Sequence, residues 1–477
     1  MQEGIPIISS YTTISRASGT IRLMTLVSWI LAAAGALVAV RWWTGPVVLA
    51  GIPVNAPLNL EGVFGLLVTL LLARRSAAGT APGAAGPGGA AAALAAAGLA
   101  AVALAPVAGL GFLSDDFILV PQAGAFSAKV FWTPGGDGFF RPLGYASLAV
   151  TRAMAGGDPR AWHWAALALH ALNSALVALL AQRLGAERWV AAFAGILFAL
   201  HGTHLEAVAW IAGRFDLLAA TCALGAMLWF GRRTPAALLC SFAALWSKEA
   251  AYVLPGWLAL IAWRERRRWS SLMPYVALTA AAFLYRAALL GGIGGYRDAE
   301  GQAAFFRLKP ASTAKVLLAR LWAPLYFPWN WSAEPGAFAA LLCAAMILAL
   351  LWLAATSRPG PGFRVALAGL LLGVLPPLHL LGGAADLSGG RLLYLPSIFF
   401  CILLGFAAGG VEARRGVASA VVLAAFHFLA VRHNLSFWEE ASRQVAAICA
   451  APEPPPELPR SIHGVPALAN GYPECRR

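Results

Sequence analysis

Two adjacent aspartates, Asp115 and Asp116, end a stretch from Ser76 to Ser114 that carries no charge. A carboxylate at the end of an apolar run can take a proton from a hydroxyl nucleophile, an effect of about 10²- to 10⁴-fold on rate. Fixed cations can hold negative charge developing on a leaving oxygen. Such cations stand at the ends of other apolar runs: Arg141 in FFRPLGY, Arg214 in IAGRFD, Lys248 in WSKEA and Arg391 in GGRLLYLP. Arginine grips phosphate oxygens bidentately, so this set suits a phosphate-bearing lipid. Plainer readings stand beside these. Ser114 with its two aspartates is also a helix start, with a serine cap and acids in the first turn. The cations also suit snorkelling or pairing with Asp216 and Glu249.

Two further groups are polar within apolar surroundings. In HGTHLE, His201 and His204 share a face of a continuous helix. Glu206 points away from them, so a three-ligand metal site would need a break at Gly202. Otherwise His204 and Glu206 read as a polar site wall. His170 and Asn173, at i and i+3 within a span, read as a buried hydrogen-bonding pair between helices.

The elements that must position these residues are membrane helices. The chain has 477 residues, 60% hydrophobic and 12% charged, with mean hydropathy +0.71. That balance excludes an ordinary soluble globular domain. Apolar stretches long enough for a bilayer core of about 30 Å recur along nearly the whole sequence. The reading is an all-α polytopic protein of 11 to 13 transmembrane helices. An N-terminal hairpin covers residues 1–75, a membrane domain 76–440 and a short tail 441–477. The first span reads as a retained helix and not a cleaved leader. Residues 77–93 read as a flexible connection, 312–328 as an interfacial or re-entrant segment carrying Lys315 and Arg320, and the tail beyond 432 as an extended strap.

With a cytoplasmic N-terminus, the inside loops hold 16 of the 35 Lys and Arg residues and 4 of the 21 acids. The net charge of +14 is then chiefly a topology signal, with no implication of nucleic acid. The same orientation places most acids, with Cys449 and Cys475, outside. Those two cysteines fit a disulfide in an oxidising compartment, although spacing alone does not pair them.

The ordered series SDDF, FFRPLGYASLA, DPRAWHWAALALHALNSALV, ALHGTHLEAVAWIAGRFDLLAA, LWSKEAAYVLP and GGRLLYLPS resembles the membrane region of GT-C glycosyltransferases. It is most similar to the transmembrane and tetratricopeptide-repeat O-mannosyltransferase group and its bacterial relatives. The helices before residue 76 and the lack of such repeats after the last span differ from that pattern. The resemblance implies a GT-C-like bundle that moves a sugar, with a mannose-like hexose favoured, from a polyprenyl-phosphate donor to a hydroxyl on the extracytoplasmic face. The acceptor would be protein Ser/Thr, a glycan or a lipid, and the setting a bacterial inner membrane.

On that basis the base is Asp115 or Asp116, with Asp116 preferred. Phosphate contacts fall to Arg391, Arg141 and Lys248, and sugar or acceptor contacts to His204, Glu206, Arg214, Asp216, Glu249 and Tyr394. No cofactor is required, though a divalent cation, Mg or Mn, has a conceivable place at the acidic pair. The rival classes are a transporter or flippase, which would place ionisable groups near the midplane, and an inactive scaffold.

Overall fold

A computed structural model describes residues 8–44, 48–49, 52–53, 57–76, 89–133, 138–295, 316–333, 336–380, 385–453, 457–468 and Cys475. Apart from two short two-stranded hairpins, its regular structure is helical. Among the described residues, eight helices are long and apolar enough to cross a membrane. A ninth span forms if Arg188–Ala199 and Gly202–Ala209, bent by 44° at their break, are taken together. The chain is therefore a multi-pass membrane protein. The sequence-based count of 11 to 13 includes Thr234–Leu245 and Gly362–Val374, apolar helices of only 12 and 13 residues. At 1.5 Å per residue, each reaches only about 20 Å.

Small residues set the closest packing. The helix Gly89–Leu104 buries Ala92, Ala93, Ala96, Ala100 and Ala103. It lies against Pro159–Arg183 and Arg188–Ala199. At their junction a Cβ on Gly195 would stand 2.8 Å from both the Ala96 Cβ and the Ser174 carbonyl oxygen. Lipid tails provide no hydrophobic drive between helices, so such close backbone approach is what holds them together.

The 25-residue helix Pro159–Arg183 separates two ends of the bundle by about 37 Å. At one end the basic loops converge. Arg183 donates to both Glu265 oxygens, at 2.8 and 3.0 Å, and to the Phe230 carbonyl, while Arg267 also reaches Glu265. Arg364 joins this end by bonding the Ser76 hydroxyl. At the other end lie the loops carrying Asp115, Arg141, Lys248 and Arg391.

Three expectations about connecting segments need correction. Helix begins at Gly89, inside the stretch read as a flexible connection, while residues 77–88 lie outside the described set. Of the two readings of 312–328, the interfacial one fails for the described part and the re-entrant one does not: Leu321, Leu325, Tyr326 and Phe327 are buried in the core, as is Trp329 just beyond. Lys315 lies outside the described residues. The last helix runs unbroken from Ala413 to Ala450, so residues 432–450 are not an extended strap. Their charges occupy one side of a helix whose other side buries Leu435, Phe437, Trp438, Ala441 and Val445. Cys449 and Cys475 form a disulfide with a Cα–Cα distance of 5.7 Å.

Gly195→Leu is expected to destabilise the bundle by about 1–3 kcal/mol through overpacking. Gly98→Ala, where nothing lies within 4 Å of the added Cβ, should be neutral or stabilising. Thermal unfolding of both variants in detergent checks the pair.

Candidate active site

A cavity of about 1020 Å³ opens among the loops at the end opposite the basic cluster. Asp115, Arg141, Lys248, Glu249 and Arg391 supply charged groups to its wall, and Phe139, Tyr145, Trp210 and Phe215 supply aromatic surface. Asp115 precedes the helix Asp116–Gly124, and its carbonyl accepts the amides of Ile118 at 3.0 Å and Leu119 at 2.8 Å. This local turn gives the two aspartates different surroundings. Asp115 is half-buried on the cavity wall. Asp116 is fully buried, and its Oδ2 accepts the Leu113 amide at 3.1 Å. Burial drives the Asp116 carboxyl well above the usual carboxylate range, against the opposing pull of that backbone bond. Of the two, Asp115 is the one on the cavity wall. Among the described residues, no group of three or more His, Cys, Asp and Glu side chains is arranged to hold a metal.

Each cation on the wall is held by a carboxylate from a distant part of the chain. Arg141 makes a two-pronged contact with Glu249. Its guanidinium also lies over the Phe139 ring, 4.1 Å from the centroid. Lys248 pairs with Asp216, a residue just inside the helix Arg214–Trp229. Arg391 donates from Nη1 to Glu206 Oε1 at 2.6 Å and from its backbone amide to Oε2 at 2.9 Å. Its guanidinium stacks over Trp210, 4.3 Å from the ring centroid. Burial would push Glu249 up, but the charge and hydrogen bonds of Arg141, with Lys248 beside it, hold it down at about 2. Burial lowers the Lys248 ammonium, and Asp216 opposes that shift. Such pairing is what keeps charge tolerable here, because an unpaired ion in low dielectric costs several kcal/mol.

The remaining candidates lie behind the wall. Glu206 and Asp216 are buried and reach the cavity only through Arg391 and Lys248. Arg214 is buried, donating to Thr151 Oγ1 and the Trp162 carbonyl at 3.0 Å each. His204 bonds the Phe198 carbonyl at 2.9 Å and the Ser397 hydroxyl at 2.7 Å. Tyr394 is fully buried, with its hydroxyl 2.8 Å from His170 Nδ1 and 3.1 Å from Asn173 Nδ2. His170 and Asn173 thus form the interhelical pair read from their spacing, with Tyr394 as their shared partner. The break at Gly202 needed for a metal reading of HGTHLE is present. However, both ring nitrogens of His201 and of His204 already face hydrogen-bonding partners.

Sequence reasoning did not single out the aromatic lining. Phe139, Trp210 and Phe215 flank the motif arginines in FFRPLGY and WIAGRF, and that adjacency was the available clue. The brace behind the site was also missed. Asn330 donates to the carbonyls of Asp386 at 3.1 Å and His463 at 2.9 Å. Asn434 accepts the Asn330 amide at 2.9 Å and donates to the Pro328 carbonyl at 2.7 Å.

Part of this chain is homologous to proteins named as protein O-mannosyl-transferases. Protein O-mannosyl-transferase Tmtc2 of Drosophila melanogaster is 36% identical over 131 residues, covering 24% of this chain and 14% of that protein. Protein O-mannosyl-transferase Tmtc1 of the same species is 38% identical over 107 residues, 21% of this chain and 12% of that protein. Protein O-mannosyl-transferase TMTC2 of Mus musculus is 35% identical over 78 residues, 16% and 9% of the two chains. The shared region is thus a small part of each relative. No family model matches the chain.

Because Glu249 is held down at about 2 in the folded protein, its ionised form favours folding. That stability is complete above its ordinary value of 4.5 and is lost as pH falls towards about 2. Glu249→Gln should remove this part of the acid dependence. Acid unfolding followed by circular dichroism in detergent should show a shallower loss of stability over that interval than in the unaltered protein.

Proposed function

We propose, from this partial homology and from the cavity, that the chain is an integral membrane glycosyltransferase. It moves a hexose, mannose first among candidates, from a polyprenyl-phosphate donor to an acceptor hydroxyl on the extracytoplasmic face. The observation that carries the reading is one cavity wall that presents the Asp115 carboxylate together with Arg141, Lys248 and Arg391.

In this reading the acceptor oxygen attacks the anomeric carbon while Asp115 takes its proton. The bond from that carbon to the phosphate oxygen breaks, and the polyprenyl phosphate leaves with the bonding electron pair. Arg141, Lys248 and Arg391 hold the charge on the departing phosphate. Glu249, Asp216 and Glu206 fix the directions of those cations. Two of the five N–H donors of Arg141 are engaged by Glu249, and arginine's planar fork suits sharing between a carboxylate and a phosphate. Phe139, Tyr145, Trp210 and Phe215 offer flat apolar faces for a sugar ring. The basic loops at the far end support a cytoplasmic placement of that end. Acceptor candidates remain protein Ser/Thr, a glycan or a lipid.

Purified protein given polyprenyl-phosphate mannose or glucose, with an acceptor peptide or glycan, should release labelled sugar into product. Asp115→Asn should lower kcat by about 10²- to 10⁴-fold and leave donor binding in place. Asp116→Asn should retain most turnover, provided it folds. Full activity in Asp115→Asn, or absence of turnover with every donor, would overturn the reading.

A further inference from the structure

The loop that presents Asp115 is held in place from outside by the far end of the chain. Ser114, the residue before it, is buried and has a backbone φ of 49°, in the left-handed region that a non-glycine residue seldom adopts. Its amide donates to the Ala467 carbonyl at 2.6 Å. Three residues upstream, the Gly111 amide donates to the Ser442 hydroxyl at 2.8 Å. Both acceptors belong to the C-terminal region, more than 300 residues away in sequence.

That region is built to be firm. Ser461–Ile462 and Val465–Pro466 pair as a hairpin around His463 and Gly464, whose φ values are 50° and 82°. Positive φ at both central residues is what a tight two-residue turn requires. Ala467 and Leu468 close the loop by donating to the carbonyls of Arg460 and Pro459, both at 3.0 Å. Ile462, Val465, Ala467 and Leu468 are buried. The turn lies against Asp386, and a Cβ on Gly464 would stand 2.5 Å from the Asp386 Cγ. The Cys449–Cys475 disulfide ties the segment beyond the hairpin back to the last helix.

We propose that this disulfide-anchored hairpin is a positioning element: its Ala467 carbonyl, with the Ser442 hydroxyl, holds Ser114 in its strained conformation and so sets the Asp115 carboxylate in the cavity. The proposal rests on the base role assigned to Asp115. Arg141 and Lys248 come from other loops, while the hairpin touches the loop of Arg391 at Asp386, so loosening the hairpin lowers turnover more than donor affinity. A displacement of about 1 Å in a reacting group can cost 10²-fold in rate.

The test compares oxidised protein, the same folded protein reduced with dithiothreitol, and the Cys449→Ser/Cys475→Ser variant. Hydrogen exchange should show amides 111–119 exchanging at least about 10-fold faster once the disulfide is gone. In the transfer assay, kcat should fall at least about 10-fold and by several times more than the donor KM rises. Rescue separates positioning from general weakening. A Cβ built on Gly111 would lie 3.4 Å from the Ser442 Oγ, close to the approach a disulfide requires. Gly111→Cys/Ser442→Cys, oxidised in the background lacking the native disulfide, should restore both exchange protection and kcat. Unchanged exchange at 111–119 after reduction overturns the proposal, and so does faster exchange with unchanged kcat. Full turnover by Asp115→Asn would instead show that the base assignment has failed, and the exchange data would still decide whether the hairpin holds the loop.

Discussion

Pairing of charge inside an apolar bundle is the constraint on which this structure depends. Arg141 with Glu249, Lys248 with Asp216, and Arg391 with Glu206 join loops that are otherwise separated by whole spans. Each pair solves a solvation problem and a construction problem together. An isolated ion in low dielectric would be costly, and a partner from another loop fixes where both loops stand. Apart from Asp115, the charged part of the cavity wall consists of the exposed sides of these pairs, so the cations available for chemistry are also the fastenings of the bundle end. Aromatic rings under Arg141 and Arg391 add apolar contact and limit how far the guanidinium planes can turn.

Much of this was legible in the sequence, for definite reasons. Apolar runs and loop-end arginines identify spans and the two ends of the bundle, because bilayer thickness and charge bias act on segments that can be read in one dimension. The motif cations were found because a charged residue ending an apolar run is conspicuous. Which carboxylate each one meets was not legible. Lys248 and Glu249 are neighbours in sequence, yet each bonds to a residue brought in from elsewhere. In sequence, pairing with Asp216 and Glu249 stands as the alternative to a site role, but the structure has the cations both paired and on the cavity wall.

The acidic pair shows a second limit. Adjacent helical positions point about 100° apart, so one aspartate had to turn away from the other, but the direction of the cavity is a tertiary fact. His204 and Tyr394 illustrate the same difficulty. Both belong to loop-end motifs, and both are buried: the bend after Ala199 carries HGTHLE into the core, and Tyr394 opens the buried helix Tyr394–Gly409. The reading of the tail as a strap rests on the proline-rich APEPPPELP, which begins only after the helix ends, while the apolar residues before it recur on the side facing the core.

The final helix, Ala413–Ala450, has 38 residues and is about 57 Å long, nearly twice the roughly 30 Å hydrocarbon core. It is a lever with one part in lipid and the other carrying Ser442 to the acidic loop. Helices answer hydrophobic mismatch by tilting. A tilt of about 5° about its first turn would move a point 30 residues along by about 4 Å. A hydrogen bond cannot survive such a displacement, so the bundle end must travel with the helix or resist its tilt. A tilt of this helix, whatever its cause, would thereby reach the geometry of the loop that carries Asp115.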